Sequence, residues 1–241
     1  MKCLILAAGY ATRLYPLTEN FPKPLLKVGD KTILDHLIDD IGDAVDGYAV
    51  ISNHKFAGHF EKWAEGRGIT IVDDGTSTNE TRLGAVCDIS YAIDKLGIDD
   101  DILVIAGDNL LDFSLKEFIT YAMEKGTSCI MRYFEPAEAR LHKSGIVEID
   151  DEDRILSMEE KPAEPRSHWC CPPFYFYTRK DAARIKEGIN DGCGTDAPGS
   201  LVAWLSQKTT VHAMQMPGRR FDIGNLESYR EVCENYKGIT L

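Results

Sequence analysis

Short apolar runs recur along the first 135 residues and alternate with stretches in which apolar residues return every three or four positions. The runs predict buried strands at residues 2–7, 48–51, 69–72, 101–106 and 127–133. The amphipathic stretches predict helices at residues 32–43, 54–66, 84–96 and 114–125. Uninterrupted apolar strands are typical of parallel sheets that helices cover on both faces. The pattern therefore predicts an α/β fold with a mainly parallel sheet.

After residue 140 the pattern becomes more antiparallel in character. Residues 144–150 alternate apolar and polar positions, acidic turn residues follow, and residues 154–162 supply a partner strand. Residues 174–177 predict another strand, and residues 226–236 predict a last helix. We interpret the chain as one domain, which comprises a core at residues 1–135, a smaller antiparallel lobe at residues 140–225 and a closing helical segment at residues 226–241.

The charge balance bears on which partners the chain can bind. Its 241 residues include 39 acidic and 27 Lys or Arg side chains, a formal net charge of −12. Such a surface repels nucleic acid and anionic membranes, so we expect neither as a partner. A phosphate site would need a local concentration of positive charge, and the candidates are Arg13, Lys23, Lys27 and Lys161.

Cysteine use and the N-terminal segment both indicate a cytoplasmic protein. The seven cysteines show no metal-ligand spacing, which favours free thiols in a reducing compartment. The first apolar run is followed closely by Arg13, and it is too short for a secretory signal or a membrane span.

A loop rich in small residues follows the first predicted strand. Residues 6–14 read Leu-Ala-Ala-Gly-Tyr-Ala-Thr-Arg-Leu, and small side chains let the backbone approach a phosphate. Tight strand-to-helix packing would explain such a turn equally well. Beyond it, prolines on both sides of Lys23 stiffen the chain and fix the direction of that cation.

These segments together form a long and specific pattern. Residues 6–14, Pro16-Leu17-Thr18 and Pro22-Lys23-Pro24-Leu25 closely resemble the signature of sugar nucleotidylyltransferases, in the group of glucose-1-phosphate thymidylyltransferases and mannose-1-phosphate guanylyltransferases. The resemblance implies a Rossmann-like nucleotide-diphospho-sugar transferase fold, with a nucleotide-binding core and a sugar-phosphate-binding lobe. The family usually has glycine where Ala11 stands, so a positive φ there would strain this residue.

Two aspartates are candidate metal ligands. Asp108 follows the predicted strand at 101–106, and ligands of open α/β sheets bind beyond the carboxyl ends of strands. Asp222 precedes the last predicted helix. Each alone is equally consistent with a turn or helix-capping role. The resemblance implies that both hold a catalytic Mg²⁺, a cation that prefers one or two carboxylates together with phosphates and water.

The resemblance also implies the remaining site residues. The implied nucleotide site comprises Leu6, Ala7, Ala8, Gly9, Thr12, Arg13, Asn79, Gly84 and Asp108. The implied sugar-phosphate site comprises Asn109, Gly145, Glu160, Lys161 and Tyr175. The implied catalytic residues are Arg13, Lys23 and Lys161. The chain departs from the family pattern at Pro173, where glycine is common, and over residues 194–199, both on the sugar side.

The implied reaction joins a nucleoside triphosphate, dTTP or UTP first, to a sugar 1-phosphate and releases pyrophosphate. Family members often form homo-oligomers, which extends to this chain only by analogy. A cytidylyltransferase acting on phosphocholine is an alternative, because Trp169, Phe174, Tyr175 and Tyr177 could surround a cation. A non-catalytic subunit that binds nucleotide sugars is a second alternative. A Rossmann dehydrogenase is disfavoured, because it has no use for Arg13 and Lys23.

Overall fold

The computed structural model describes residues 1–240. Its strands are β1 (Lys2–Leu6), β2 (Lys27–Val28), β3 (Lys31–Thr32), β4 (Tyr48–Ser52), β5 (Thr70–Asp73), β6 (Ile102–Ala106), β7 (Asn109–Leu111), β8 (Ser128–Phe134), β9 (Gly145–Ile149), β10 (Ile155–Glu160), β11 (Trp169–Cys171), β12 (Phe174–Tyr177), β13 (Val211–Gln215) and β14 (Arg220–Asp222). Its helices are α1 (Ile33–Ile41), α2 (His54–Ala64), α3 (Ala85–Leu96), α4 (Leu115–Lys125), α5 (Glu138–Leu141), α6 (Arg179–Ala182), α7 (Ile185–Asn190), α8 (Gly199–Leu205) and α9 (Leu226–Asn235).

One large mixed sheet organises the chain. Its strands run in the order β10-β9-β11-β8-β12-β6-β1-β4-β5, and β13 pairs with β8. Strands β6, β1, β4 and β5 are parallel neighbours, whereas β12 is antiparallel to both β6 and β8. The predicted α/β sheet is confirmed. Strands β9, β10 and β11 of the 140–225 lobe continue the same sheet beyond β8, and β12 lies between β8 and β6.

Helices cover both faces of the sheet. One core cluster packs α1, α2 and α4 against one face, through apolar side chains such as Leu34, Phe56 and Phe118. A second cluster packs α3, α7 and α8 against the other face, through residues such as Ile89 and Leu201. Continuous apolar strands such as β1 and β6 follow directly from this double coverage. No helix within residues 1–240 has the length and apolarity required to cross a bilayer.

The C-terminal helix α9 anchors the loops that surround the carboxyl end of β1. It joins a third apolar cluster that includes Leu14, Leu26 and Ile223. The Tyr229 hydroxyl donates a hydrogen bond to the Lys27 carbonyl, at 2.7 Å. This packing holds the segment after β1 against the segment around Asp222.

A bulge lies between β11 and β12, which pair with successive parts of β8. Cys170 pairs with Tyr133 and Tyr175 pairs with Ile130, so four residues of one strand face two of the other. Pro172 and Pro173 lie in this bulge, and proline is tolerated there because it has no N–H for the ladder. The Pro173 carbonyl accepts a hydrogen bond from the Ala106 N–H, at 3.1 Å. The bulge therefore presents Pro173 at the carboxyl end of β6.

Candidate active site

A cavity of about 560 Å³ opens at the carboxyl ends of β1 and β6. It is lined by Leu6, Ala7, Ala8, Gly9, Ala11, Thr12, Arg13, Leu14, Lys23, Pro24, Arg82, Gly84, Ala85, Asp88, Ala106, Asp108, Pro173, Asp196, Pro198, Asp222, Ile223 and Gly224. The location agrees with the rule that ligands of α/β sheets bind beyond the carboxyl strand ends. Among the predicted residues, it brings together the small-residue loop, Arg13, Lys23, Gly84 and both aspartates.

Side-chain hydrogen bonds to two backbone carbonyls fix the loop after β1. Ala11 has φ 46°, a left-handed conformation that strains a residue with a Cβ. The Thr18 hydroxyl donates to the Ala11 carbonyl at 2.8 Å, and Asn53 Nδ2 donates to the Ala8 carbonyl at 2.9 Å. The positive φ shows that Ala11 occupies a position suited to glycine. Arg13 follows on a short turn, exposed at the cavity.

Lys23 and Asp108 form an ion pair in the cavity wall. Lys23 is 6% exposed, and its Nζ lies 2.7 Å from Asp108 Oδ2. A buried ammonium group needs a carboxylate or another anion beside it, because desolvation of an unpaired charge is costly. Pro24 follows Lys23 in a short helical turn, Lys23–Leu25, which fixes the Lys23 backbone. The pair therefore places a fixed positive charge beside the predicted metal ligand.

A two-stranded ribbon brings Asp222 to Asp108. Strands β7 and β14 pair in antiparallel register, and Asp222 lies opposite Asn109. Asn109 is 1% exposed; its Nδ2 donates to Asp108 Oδ1 at 3.0 Å, and its Oδ1 accepts from Arg220 at 2.8 Å. The predicted sugar-phosphate contact of Asn109 stays a prediction, but its hydrogen bonds orient Asp108.

The start of α3 packs closely against the backbone of the 194–199 segment. Gly84 has φ 90°, and a Cβ there would lie 2.5 Å from the Thr195 carbonyl oxygen. The Val86 N–H donates to the Thr195 carbonyl at 3.0 Å, and the Ala85 N–H donates to the Asp196 carbonyl at 3.3 Å. Backbone carbonyls thus satisfy the first N–H groups of α3, which lack a side-chain cap.

An ion pair crosses the mouth of the cavity beside this contact. Arg82 Nη2 lies 2.9 Å from Asp196 Oδ1. Both side chains are largely exposed, so the pair adds little stability by itself. It joins the loop before α3 to the lobe segment that lines the other wall.

Several predicted sugar-phosphate residues lie outside the cavity lining. Glu160 occupies a gap between Gly145 and Gly199, and a Cβ on either glycine would collide with its carboxylate. Burial raises the pKa of Glu160, against the lowering effect of neighbouring Lys161. Lys161 is exposed and has φ 51°, a strained conformation of the kind that accompanies functional sites. Their contacts with substrate stay predictions.

Two other predicted residues are placed away from the cavity. Tyr175 is 3% exposed and lies in the second core cluster, where it stacks on Tyr177. Asn79 is exposed on the turn before α3, and its carbonyl accepts a hydrogen bond from Arg82. Both roles stay predictions, and neither side chain lines the cavity as it stands.

The structure adds lining residues that the sequence reasoning did not select. Asp88, Arg82, Asp196, Pro173 and Pro198 are among them. For Pro173, Asp196 and Pro198, the signal was the departure from the family pattern at Pro173 and over residues 194–199. Asp88 gave no such signal, because an acidic residue in the first turn of a helix is ordinarily explained by the helix dipole.

The aromatic residues of the phosphocholine alternative do not form an open cation site. Phe174, Tyr175 and Tyr177 are each at most 3% exposed. The ring of Trp169 already faces a cation, because the Arg132 guanidinium lies 4.8 Å from its centroid. The arrangement therefore gives that alternative no structural support.

Comparisons with known proteins place the chain among nucleotidyl transferases. The bifunctional protein GlmU of Methanocaldococcus jannaschii is 28% identical over 93% of this chain and 51% of its own length. The UTP–glucose-1-phosphate uridylyltransferase AglF of Haloferax volcanii is 26% identical over 96% of this chain and 95% of its own length. The glucose-1-phosphate thymidylyltransferase of Streptomyces antibioticus is 30% identical over 96% of this chain and 65% of its own length. The chain spans between half and three fifths of the length of the first curated relatives that it matches.

Among solved structures, a candidate glucose-1-phosphate thymidylyltransferase of Bacillus anthracis, bound to sucrose, superimposes with a TM-score of 0.82 at 21% identity. It covers all of this chain, which in turn covers 97% of that structure. A UDP-glucose pyrophosphorylase in complex with UDP-glucose superimposes with a TM-score of 0.78 at 20% identity, over 98% of this chain and 97% of its own. These likenesses establish the fold. The nucleotidyl transferase family matches residues 2–238, and the chain belongs to that family.

Proposed function

We propose that the protein is a sugar-1-phosphate nucleotidyltransferase, which joins a nucleoside triphosphate to a sugar 1-phosphate and releases pyrophosphate. The observation that carries the proposal is the composition of one cavity wall. The small-residue loop with Arg13, Lys23, Asp108 and Asp222 converge there from four separate stretches of the chain. Family membership and the names of the relatives support the same reaction class.

The proposed reaction requires no protein nucleophile. A phosphate monoester is largely ionised at neutral pH, because its second pKa is about 6, so the sugar phosphate can attack the α-phosphorus without a general base. Catalysis then depends on positioning and on stabilising charge as pyrophosphate leaves. Arg13, exposed at the cavity, would hold the departing pyrophosphate. Lys23, fixed beside Asp108, would stabilise charge near the α-phosphorus.

The two aspartates fit a divalent cation of the Mg²⁺ type. Asp108 and Asp222 line one cavity, and their side chains are 42% and 62% exposed, which leaves room for phosphate and water oxygens. Members of this family generally use a divalent metal. Mg²⁺ held there would neutralise charge between the attacking phosphate and the α-phosphate. The protein's own contribution is to aim Asp108, through its bonds to Lys23 and Asn109.

Two of the relatives, the uridylyltransferase and the thymidylyltransferase, support UTP or dTTP as the triphosphate and a hexose 1-phosphate as the acceptor. Glu160 and Lys161 would bind the acceptor from the lobe side, as the resemblance implies. Lys161 would contact the sugar phosphate, and the partly exposed Glu160 would accept hydrogen bonds from sugar hydroxyls. Because Gly199 packs directly against the Glu160 carboxylate, we expect the 194–199 segment to move when an acceptor binds.

The test is pyrophosphate release with Mg²⁺, in a grid of dTTP, UTP, CTP and GTP against hexose 1-phosphates and phosphocholine. We expect release with dTTP or UTP and one hexose 1-phosphate, and loss of release in EDTA. Asp108→Asn should reduce turnover by about 100-fold or more, since one charge at the reacting phosphates commonly contributes that much. Asp151→Asn is the matched control, because Asp151 is exposed on a turn and does not line the cavity.

The other outcomes separate the alternatives. Release only with CTP and phosphocholine would replace this proposal by the cytidylyltransferase. Nucleotide binding without release from any pair would favour the non-catalytic subunit. Equal rates in Asp108→Asn and in the control would contradict the assigned role of Asp108, whatever the substrates.

A further inference from the structure

Arg220 is a partly buried cation whose charge has no close carboxylate. Its side chain is 21% exposed, and its Nη1 donates to Asn109 Oδ1 at 2.8 Å. Among residues 1–240, the nearest carboxylate oxygen is Asp222 Oδ1, at 3.9 Å from that nitrogen, too far for a hydrogen bond. A charge held partly out of water ordinarily has a close partner. The other arginines that the fold shields from solvent each have one, at 2.8 Å and 2.9 Å; they are Arg132, paired with Asp153, and Arg184, paired with Glu187.

Most of the Arg220 guanidinium is available to a ligand. Its fork carries several N–H donors, and in the described part of the chain they make one hydrogen bond, to Asn109. No nitrogen of this side chain is among the buried polar atoms that lack a partner, so the remaining donors reach solvent. Side chains alternate along β14, which places Arg220 and Asp222 on one face of the ribbon. Since Asp222 lines the cavity, the open N–H groups lie at its rim.

The guanidinium lies on the lobe side of the candidate metal ligands. Its centre is 6.0 Å from the ring centroid of Tyr133, which belongs to β8. In the sheet, β12 separates β8 from β6, and Asp108 follows β6. The loop that carries Arg13 follows β1, the neighbour of β6 on the other side. A triphosphate whose phosphates lie at Arg13 and Lys23 would therefore leave Arg220 to the acceptor.

Tyr133 also connects Arg220 to Lys161. The Tyr133 side chain lies beside the side chain of Ser144, and the Ser144 carbonyl accepts a hydrogen bond from the Lys161 N–H at 3.0 Å. Both cations therefore adjoin the same two residues, although they come from β14 and from the end of β10. Lys161 is exposed, and its strained backbone, at φ 51°, is held in place by this bond.

We propose that Arg220 is an acceptor-binding residue, which holds the phosphate of the sugar 1-phosphate together with Lys161. The inference rests on the proposed function and deepens it. A guanidinium fork matches the oxygens of a phosphate group and can donate two parallel hydrogen bonds to it. A phosphate monoester carries a charge of about −1.5 to −2 at neutral pH, so it supplies the anion that Arg220 lacks within the fold.

A role limited to the protein itself would have different consequences. Arg220 bonds to Asn109, and Asn109 bonds to Asp108, so Arg220 could merely orient Asp108. That role needs one N–H donor and no positive charge. Its loss would disturb Asp108 and therefore weaken the triphosphate and the acceptor alike. Loss of a phosphate-binding cation would weaken the acceptor alone.

The experiment measures acceptor binding by calorimetry, on the full chain with Mg²⁺ and the α,β-methylene analogue of UTP or dTTP. In this analogue a carbon bridge replaces the P–O bond that has to break, so the triphosphate site is filled without turnover. Glucose, galactose and mannose 1-phosphates are titrated in turn. Arg220→Gln should weaken the acceptor that binds best by at least about tenfold, as expected for a lost hydrogen bond to a charged group. Affinity for the methylene analogue should stay within threefold.

Two further variants sharpen the comparison. Arg220→Lys keeps the charge but loses the fork, so its loss of acceptor affinity should be smaller than that of Arg220→Gln. Arg219→Gln is the matched control, because it removes the same charge one residue earlier, from an exposed side chain that does not line the cavity. It should retain acceptor affinity within twofold.

Three results would overturn the inference. Undiminished acceptor affinity in Arg220→Gln would show that Arg220 does not bind the phosphate. Equal losses for acceptor and methylene analogue would show that it acts only through Asn109. Equal losses in Arg219→Gln and Arg220→Gln would show a general effect of net charge.

Failure of the proposed function would look different. If Arg220→Gln selectively weakens acceptor binding but no pair of substrates releases pyrophosphate, the assignment of Arg220 stands and the reaction assignment fails. If pyrophosphate is released and Arg220→Gln leaves the KM for the acceptor unchanged, the reaction assignment stands and the assignment of Arg220 fails. Binding of none of the three sugar phosphates to the unsubstituted protein would contradict both.

Discussion

Gly84→Ala tests the contact that joins the start of α3 to the 194–199 segment. The new methyl group would lie 2.5 Å from the Thr195 carbonyl oxygen and 2.8 Å from the Thr195 carbonyl carbon. Both atoms belong to the backbone, so a side-chain rotation cannot relieve the overlap and the segment has to move. At φ 90° and ψ 150° alanine is also in a conformation that only glycine adopts readily.

The magnitude follows from two contributions. Alanine in this backbone conformation costs on the order of 1–3 kcal/mol. Displacement of Thr195 and Asp196 removes the hydrogen bonds from the Val86 and Ala85 N–H groups, and each contributes about 1 kcal/mol. We therefore expect the free energy of unfolding to fall by about 4 kcal/mol.

The assay is urea denaturation followed by far-UV circular dichroism, with Gly66→Ala as the matched control. Gly66 has φ 73°, and a Cβ there would meet no atom within 4 Å, so this variant reports the backbone conformation alone. We expect it to lose about 1–2 kcal/mol. Equal losses in the two variants would refute the reasoning, because they would show that the 194–199 contact contributes nothing. A displaced segment should also raise the KM for the triphosphate in Gly84→Ala only.

Three further predictions concern the cavity. Lys23→Gln should lower kcat/KM for pyrophosphate release by about 100-fold, whereas Lys27→Gln, an exposed neighbour, should leave it unchanged. Ala11→Gly should raise Tm by about 2 °C in a thermal melt, because relief of the left-handed strain outweighs the added chain entropy; an unchanged or lower Tm would contradict that balance. The raised pKa of Asp88 stabilises the fold fully below about pH 4, and this contribution is lost as pH rises through about 7; the free energy of unfolding should decline over that window, and Asp88→Asn should flatten the decline.

The long elements of the fold could be predicted because their apolar pattern alone determines them. Strands β1, β4, β5, β6 and β8 begin and end within a residue of their predicted bounds, as do helices α3 and α4. The short strands β7 and β14 could not be found in this way. Each has three residues, too few for a period, and they are strands only because they pair with each other.

Half of the candidate site could be predicted for a comparable reason. Most of the nucleotide-side residues, from Leu6 to Arg13, lie in one continuous loop, so their spacing in the sequence already indicates that they lie together. The residues on the lobe side of the site depend on contacts between distant segments. Residue spacing does not indicate which carbonyl contacts which glycine. Thr195 and Gly84 are an example, because neither residue alone indicates that one caps the helix that the other begins.

The 194–199 segment connects the two halves of the proposed reaction. At one end, Thr195 and Asp196 pack against Gly84 and complete the first turn of α3, which carries Asp88 into the cavity. At the other end, Gly199 lies against the carboxylate of Glu160, the residue expected to bind the sugar. Both contacts are made where a Cβ would not fit, so each depends closely on the position of the segment. We therefore expect any movement of the segment when an acceptor binds at Glu160 to alter the cavity lining at Gly84 as well.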